Sequence, residues 1–286
     1  MLTTRRQFLK TSGTALASTA ILSSMPLGLL SCNTSGKPKD FGFQVWTIRQ
    51  KLLEDFEGTL QMMAGLGYTQ VEMCSPLGYT GAGFGPLNEM SGTEMKRIID
   101  GTGLSCISSH YTMGELRENL DNRIEWATEM GMKQMVCSMF WLPEEATIDD
   151  WKKACHELNV IAEKTQTAGI QMGYHNHHFE FQKIDGELIY PVLMQELDPE
   201  LVKMQFQVAV VDMGYQAADY FREYPGRFIS AHLADYSPEQ EAQVPIGKGM
   251  VDWDDFFLAS RTGGVQNFFV EMDPLTFEES AAFLKA

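Results

Sequence analysis

Basic residues are scarce in this chain of 286 residues: 22 Lys and Arg stand against 38 Asp and Glu. So acidic a body repels phosphate backbones, which argues against a nucleic-acid partner and against a nuclease. Cysteine is sparse as well. Cys74, Cys106, Cys137 and Cys155 show no CxxC or zinc-ribbon spacing. Three of these four lie in or beside strand-like apolar runs, where buried free thiols are common, so no structural disulfide is expected. The apolar stretch near the N-terminus is short and broken by Ser and Pro, which argues against a membrane-spanning helix. What remains, 44% apolar residues with 25 Gly and 11 Pro, excludes a disordered, collagenous or disulfide-knot chain.

No acidic residue occurs before Asp40. Thr4-Arg5-Arg6-Gln7-Phe8-Leu9-Lys10 is followed by a Ser/Thr/Ala-rich stretch and an apolar run that ends at Leu29-Leu30. A charged start, an apolar middle and small residues at the end make an export signal. The segment resembles a twin-arginine (Tat) signal, which carries proteins already folded. Leu29-Leu30-Ser31-Cys32 resembles a lipobox with Cys32 as the lipidated mature N-terminus; cleavage near an incidental Cys is the alternative. The expected organisation is an export signal over 1–32, a polar linker over 33–40 and one catalytic domain over 41–286. The product would be periplasmic and would touch a membrane only through a lipidated Cys32. Loss of Arg5, Arg6 and Lys10 from the 22 basic residues leaves 19 against 38 acidic ones, a formal charge of −19.

Beyond the linker, strand-like apolar runs alternate with amphipathic stretches. Strands are expected to begin near Gly42, Tyr68, Leu104, Lys133, Ile170, Lys203, Phe228 and Gln266. Gly67, Gly103, Gly131, Gly169 and Gly264 precede five of them, where a helix needs a left-handed cap before the chain turns back. Ser91-Gly92-Thr93-Glu94 reads as a capping box, and Thr147 starts a long amphipathic helix reaching Thr167. Eight βα units fit a single (β/α)8 TIM barrel of the α/β class. A doubly wound sheet would carry a Gly-rich phosphate turn after its first strand, and Phe43-Gln44-Val45-Trp46-Thr47-Ile48-Arg49 has none.

In a barrel, chemistry collects at the C-terminal ends of the strands, and side chains two apart share a face. Read in order, those ends give Gln44 and Trp46, Glu72, His110, Trp141, His175 and His177, Gln205 and Gln207, His232, and Glu271. Five of the six histidines sit at or just beyond those ends, His178 included; His156 falls in a helix. Each residue alone has a plain explanation as a core amide, a salt-bridged carboxylate or a hydrogen-bonded rim imidazole. Their convergence on one mouth is what binding a divalent metal or moving protons requires. In Tyr174-His175-Asn176-His177-His178-Phe179-Glu180, His175 and His177 share a face, while His178 and Glu180 belong to the loop beyond, facing either the site or solvent.

The chain resembles the sugar phosphate isomerase/epimerase family, also called xylose isomerase-like or endonuclease IV-like TIM barrels. The resemblance covers Phe41 to Ala286. It is carried by Gly67-Tyr68-Thr69-Gln70-Val71-Glu72, Gly173-Tyr174-His175-Asn176-His177, Tyr224-Pro225-Gly226-Arg227-Phe228, His232-Leu233-Ala234-Asp235, Gly247-Lys248-Gly249-Met250-Val251-Asp252-Trp253 and Phe269-Val270-Glu271-Met272-Asp273. It implies a divalent-metal site on His175, Gln207, His232 and Glu271. Gln207 stands where the family has an Asp, so the set offers one anionic ligand. Hard Mg²⁺ would then bind poorly, while Zn²⁺, Mn²⁺, Co²⁺ or Ni²⁺ remain candidates.

The family's chemistry is proton removal next to a sugar carbonyl, ending in isomerisation, epimerisation or elimination. Carried over, Glu72 or Glu271 is the base, and His110, His175, His177 and His232 are metal ligands or proton donors. Gln44, His177, Gln205 and Gln207 bind substrate, and Trp46 and Trp141 stack on the ring or simply pack. Lys248 is an acid–base lysine or a substrate clamp; a solvated loop lysine is the plain alternative. An uncharged sugar is favoured over a phosphorylated one, since only Lys248, Arg49 and Arg227 are placed for a phosphate, and Arg227 more plainly supports its Pro-Gly turn. The competing class is a non-catalytic carbohydrate-binding barrel with a degenerate metal site.

Overall fold

The structure is a computed structural model and describes residues 36–286; the export segment with Cys32 lies outside the described residues. Eight parallel strands close a barrel: β1 (Gly42–Gln44), β2 (Gln70–Cys74), β3 (Ser105–Tyr111), β4 (Gln134–Cys137), β5 (Gln171–His175), β6 (Val202–Gln207), β7 (Phe228–Leu233) and β8 (Asn267–Val270). They follow one another around the barrel in chain order, and β8 returns to pair with β1. Every strand starts within two residues of its expected place, because each apolar run is largely buried on both faces; all six residues of β7 are buried.

The outer layer holds α1 (Arg49–Glu54), α2 (Phe56–Leu66), α3 (Gly92–Gly101), α4 (Met113–Met130), α5 (Ile148–Thr167), α6 (Ile189–Glu196), α7 (Ala217–Glu223), α8 (Trp253–Gly263) and α9 (Phe277–Lys285). The Thr147 box is complete: its hydroxyl accepts from Asp150 N while the Asp150 carboxylate accepts from Thr147 N. The Ser91 box is half made. Ser91 Oγ accepts from Glu94 N at 3.1 Å, and the Glu94 carboxylate makes no return bond. Gly67, at φ 102°, closes α2 in the left-handed region that lets β2 begin at once.

Two short hairpins were not foreseen. Lys183–Ile184 pairs with Glu187–Leu188 after β5, and Asp235–Ser237 pairs with Ala242–Val244 after β7. The first turns on Asp185 and Gly186, both at positive φ, a dipeptide signal readable in the sequence. Both hairpins stand at the C-terminal ends of barrel strands. Cys74, Cys106, Cys137 and Cys155 are free and buried.

Glu115 on α4 pins the loop after β2. Its carboxylate accepts from Ser75 Oγ at 2.5 Å, and a side chain at Gly78 would meet its Oε2 at 2.1 Å. Burial, opposed by Ser75 and by Arg123 at 3.7 Å, raises its pKa from 4.5 to about 7. A carboxyl raised on folding stabilises fully below its unfolded pKa, and that stability is lost as pH rises towards the folded value. The loss is worth about 3 kcal/mol. Wild type should therefore lose that much more stability between pH 4.5 and 8 than Glu115→Gln, as read by urea unfolding. Parallel pH profiles would refute the assignment.

Candidate functional site

Side chains alternating along β2, β3, β6 and β7 meet on the barrel axis around one carboxylate. Glu72 is fully buried. Its Oε1 accepts from Ser108 Oγ at 2.6 Å and Gln205 Nε2 at 2.8 Å; its Oε2 accepts from His232 Nε2 at 2.5 Å and lies 3.2 Å from His110 Nε2. His110 Nε2 also donates to Gln205 Oε1 at 2.7 Å, and Gln205 Nε2 donates to Ser230 Oγ at 2.9 Å. The other nitrogen of His232 carries the chain outwards: Nδ1 donates to Glu271 Oε2 at 2.8 Å. Glu271 lies just past β8, and Gln207 Nε2 donates to the same oxygen at 2.7 Å.

The result is a buried imidazolium between two carboxylates. Burial alone would lower the pKa of His232, but Glu271 and Glu72 overcome it and raise the value to about 9. Burial likewise pushes both carboxyls up, yet His232 and His110 hold them below the usual carboxylate range. His175 is the opposite case. Burial, reinforced by His232, His177 and His110, drives its pKa well down, so it stays neutral. His177 falls to about 4, chiefly through burial. The rings pack closely, with His110 stacked on His232 at 5.1 Å and His175 at 4.3 Å from His232.

A cavity of about 210 Å³ opens above this network, and Gln44, Trp46, His110, Trp141, His177 and Glu271 line it. Gln44 is fully buried, its amide oxygen taken by Trp46 N and its Nε2 donated to Cys74 Sγ at 3.4 Å. Trp46 is 36% exposed and Trp141 69%, so both indoles present faces to the mouth. Glu271 thus reaches the cavity, whereas Glu72 sits behind His232.

Among the described residues, no Lys or Arg lines that cavity. Arg49 lies over the Trp46 ring at 4.2 Å and donates to Trp46 O, while Arg227 donates to Met194 O and Leu197 O. Lys248 is exposed on its loop and makes no ion pair with the His–Glu network. That loop is held by Asp235, which sequence reasoning quoted within a motif without giving it a role. Its carboxylate accepts from Gly247 N, Gly249 N, Val251 N and Trp253 Nε1. A side chain at residue 249 would meet Asp235 Oδ1 at 2.2 Å, which accounts for the glycine.

Gln207 is tied up as a hydrogen-bond anchor: Nε2 faces Glu271 and Oε1 accepts from Ala209 N at 3.2 Å. The imidazoles brought together are His110, His175 and His232, with one nitrogen from each lying within 4.8 Å of the others. Both ring nitrogens of His175 are buried without a hydrogen-bond partner. Three imidazoles beside a carboxylate suit Zn²⁺, Co²⁺ or Ni²⁺ better than Mg²⁺, with His110 where the resemblance had Gln207, and His232 joins such a set only after releasing a proton it now shares with Glu72 or Glu271. His178 and Glu180 divide: His178 faces solvent, while Glu180 is buried, accepting from Tyr174 Oη and His177 N, each at 2.7 Å. Ser108 and Ser230 were not singled out in the sequence, since a strand serine carries no distinguishing signal.

A family model for xylose isomerase-like TIM barrels matches residues 60–286. The chain belongs to the xylose isomerase-like TIM barrel family. Among solved structures, this barrel is similar to a sugar phosphate isomerase/epimerase from Parabacteroides distasonis, with 26% identity and a TM-score of 0.73 over 90% of this chain and 96% of that one. A second sugar phosphate isomerase/epimerase from the same organism is 23% identical, with a TM-score of 0.70 over 87% and 99%. A xylose isomerase-like TIM barrel protein from Mycobacterium smegmatis, in complex with magnesium, is 14% identical, with a TM-score of 0.63 over 86% and 95%. Among proteins of curated function, none matches. As a xylose isomerase-like barrel the chain has the architecture of sugar isomerases and epimerases, with its polar network at the end of the barrel where this fold does chemistry.

Proposed function

We propose that this barrel is a sugar isomerase, epimerase or keto-sugar lyase that removes a proton next to the carbonyl of an uncharged sugar. The observation that carries the reading is the Glu72–His232–Glu271 chain, which ends with the Glu271 carboxylate in the mouth cavity. Glu271 acts as the base, kept ionised by His232. His232 holds that carboxylate in place, and Glu72 keeps His232 protonated and oriented. His110 and His177 face the carbonyl end, Gln44 completes the polar lining while Gln205 lies beneath it bonded to Glu72 and His110, and Trp46 and Trp141 cover the apolar face of the ring. A cavity without Lys or Arg favours an unphosphorylated substrate. A divalent ion on His110, His175 and His232, which would polarise the carbonyl oxygen when bound, requires His232 to release a proton, so it is an alternative to the imidazolium and not its companion.

The test is proton exchange. The purified protein is incubated in deuterated water with aldoses, ketoses and 3-keto-sugars, and deuterium should appear at the carbon next to the carbonyl of at least one. Binding without incorporation anywhere in the set would make the chain a carbohydrate-binding barrel.

The export reading is likewise a proposal, supported by the Arg5-Arg6 pair and the Cys32 lipobox. Replacing both arginines by lysine should leave the protein in the cytoplasm on cell fractionation. Unchanged export would rule out the twin-arginine route.

A further inference from the structure

A second hollow of about 420 Å³, twice the volume of the first, lies beside the mouth between the loops that follow β4 and β5. The two share Met139 and Trp141, so the indole of Trp141 stands on the boundary between them. Trp141 adopts a φ of 56°, a left-handed conformation that is unfavourable for a bulky side chain. Strain of this kind persists where the surroundings hold a residue in a working position. Phe140, Leu142, Phe179 and Ile184 make the walls, and Phe179 is 42% exposed, an aromatic face open to a ligand. At the floor lies the buried Glu180. Among the described residues no Lys or Arg lines this hollow, so none of them offers a counter-charge to an anionic group there.

We infer that the substrate is bipartite: the sugar occupies the polar mouth, and a flat, uncharged, apolar substituent attached to it lies in the adjoining hollow between Trp141 and Phe179. The inference rests on the sugar reading above and deepens it. A free monosaccharide would leave the larger of the two adjoining hollows to water, whereas a keto-glycoside with an aromatic aglycone, which keeps a carbonyl on its ring, fills both. Ligand sites are commonly this combination of apolar walls and a few converging polar groups. Trp141 would then contact both parts, sugar ring on one side and aglycone on the other.

Calorimetric titration of the full chain with matched methyl and phenyl 3-keto-glycosides of glucose, galactose, mannose and xylose, and with phenol alone, tests this. For the sugar that binds, the phenyl glycoside should bind about 10- to 100-fold more tightly than the methyl glycoside, the gain expected for burying one aromatic ring. Phe179→Ala should remove most of that gain and leave methyl-glycoside affinity unchanged, which also shows that the variant is folded. Equal affinities for methyl and phenyl partners would overturn the bipartite substrate and leave the sugar reading standing. Absence of binding by every glycoside would overturn this inference, while the sugar reading falls only if the proton-exchange test on free sugars fails as well. Phenol binding as tightly as the phenyl glycosides would show an apolar site unconnected to sugar recognition.

Discussion

Glu271→Gln should slow exchange of the substrate proton by about 10²- to 10⁴-fold, the range for removing a positioned general base, while leaving the fold and its stability nearly intact. The second half of that expectation follows from which oxygen is used. Both hydrogen bonds to the Glu271 side chain, from His232 Nδ1 and Gln207 Nε2, land on Oε2. An amide oxygen can accept both, and the amide nitrogen then takes the side that faces the cavity. Only the charge and the basic lone pair are lost. Unfolding midpoints and sugar affinity should therefore stay close to wild type as turnover collapses. An active Glu271→Gln would show that another group takes the proton.

Glu72→Gln should behave in the reverse way and so separates the two carboxylates. Glu72 uses both oxygens, one for Ser108 and Gln205 and the other for His232 and His110. A glutamine can serve only one side and turns a donor towards the other, where donors already stand. Breaking a buried charge pair in this way costs about 3–5 kcal/mol. The variant should unfold at markedly lower urea concentration, and its activity loss should follow the lost alignment of His232. Sequence reasoning left the base open between Glu72 and Glu271; burial of one and access of the other are tertiary facts that strand spacing does not contain.

The eight strands were legible because parallel barrel strands are apolar runs between helices with clear stops, and a missing Gly-rich turn disposed of the alternative sheet. The mouth residues were legible for a related reason: with strand ends located, the two-residue period fixes which side chains face inwards. Pairings were not legible. His110 joins His175 and His232 because β3, β5 and β7 turn these side chains inwards at one level of the barrel, a proximity no spacing reveals. Gln207 kept the position of a ligand and spends its amide on Glu271 and Ala209 instead. Asp235 and Glu180 were hidden because their roles are to organise backbone amides, at Gly247 and Gly249 for one and at His177 for the other.

His175 offers the cleanest separation of function from folding, because its imidazole packs against neighbouring rings but makes no hydrogen bond among the described residues. Both nitrogens are buried and unpartnered, a condition that costs roughly 1–3 kcal/mol per unsatisfied group unless a ligand satisfies it. Leucine is close in volume and carries no polar atom. His175→Leu should therefore be as stable as the metal-free wild type or more stable, by about 1 kcal/mol. The same substitution should weaken binding of added Zn²⁺ or Co²⁺ by about 100-fold or more, measured by competition with a chromophoric chelator, since one of three imidazole donors is gone. A destabilised variant with unchanged metal affinity would mean that the ring is there to fill space. Wild-type affinity in a fully stable variant would remove His175 from the ligand set and leave its nitrogens to meet the sugar itself.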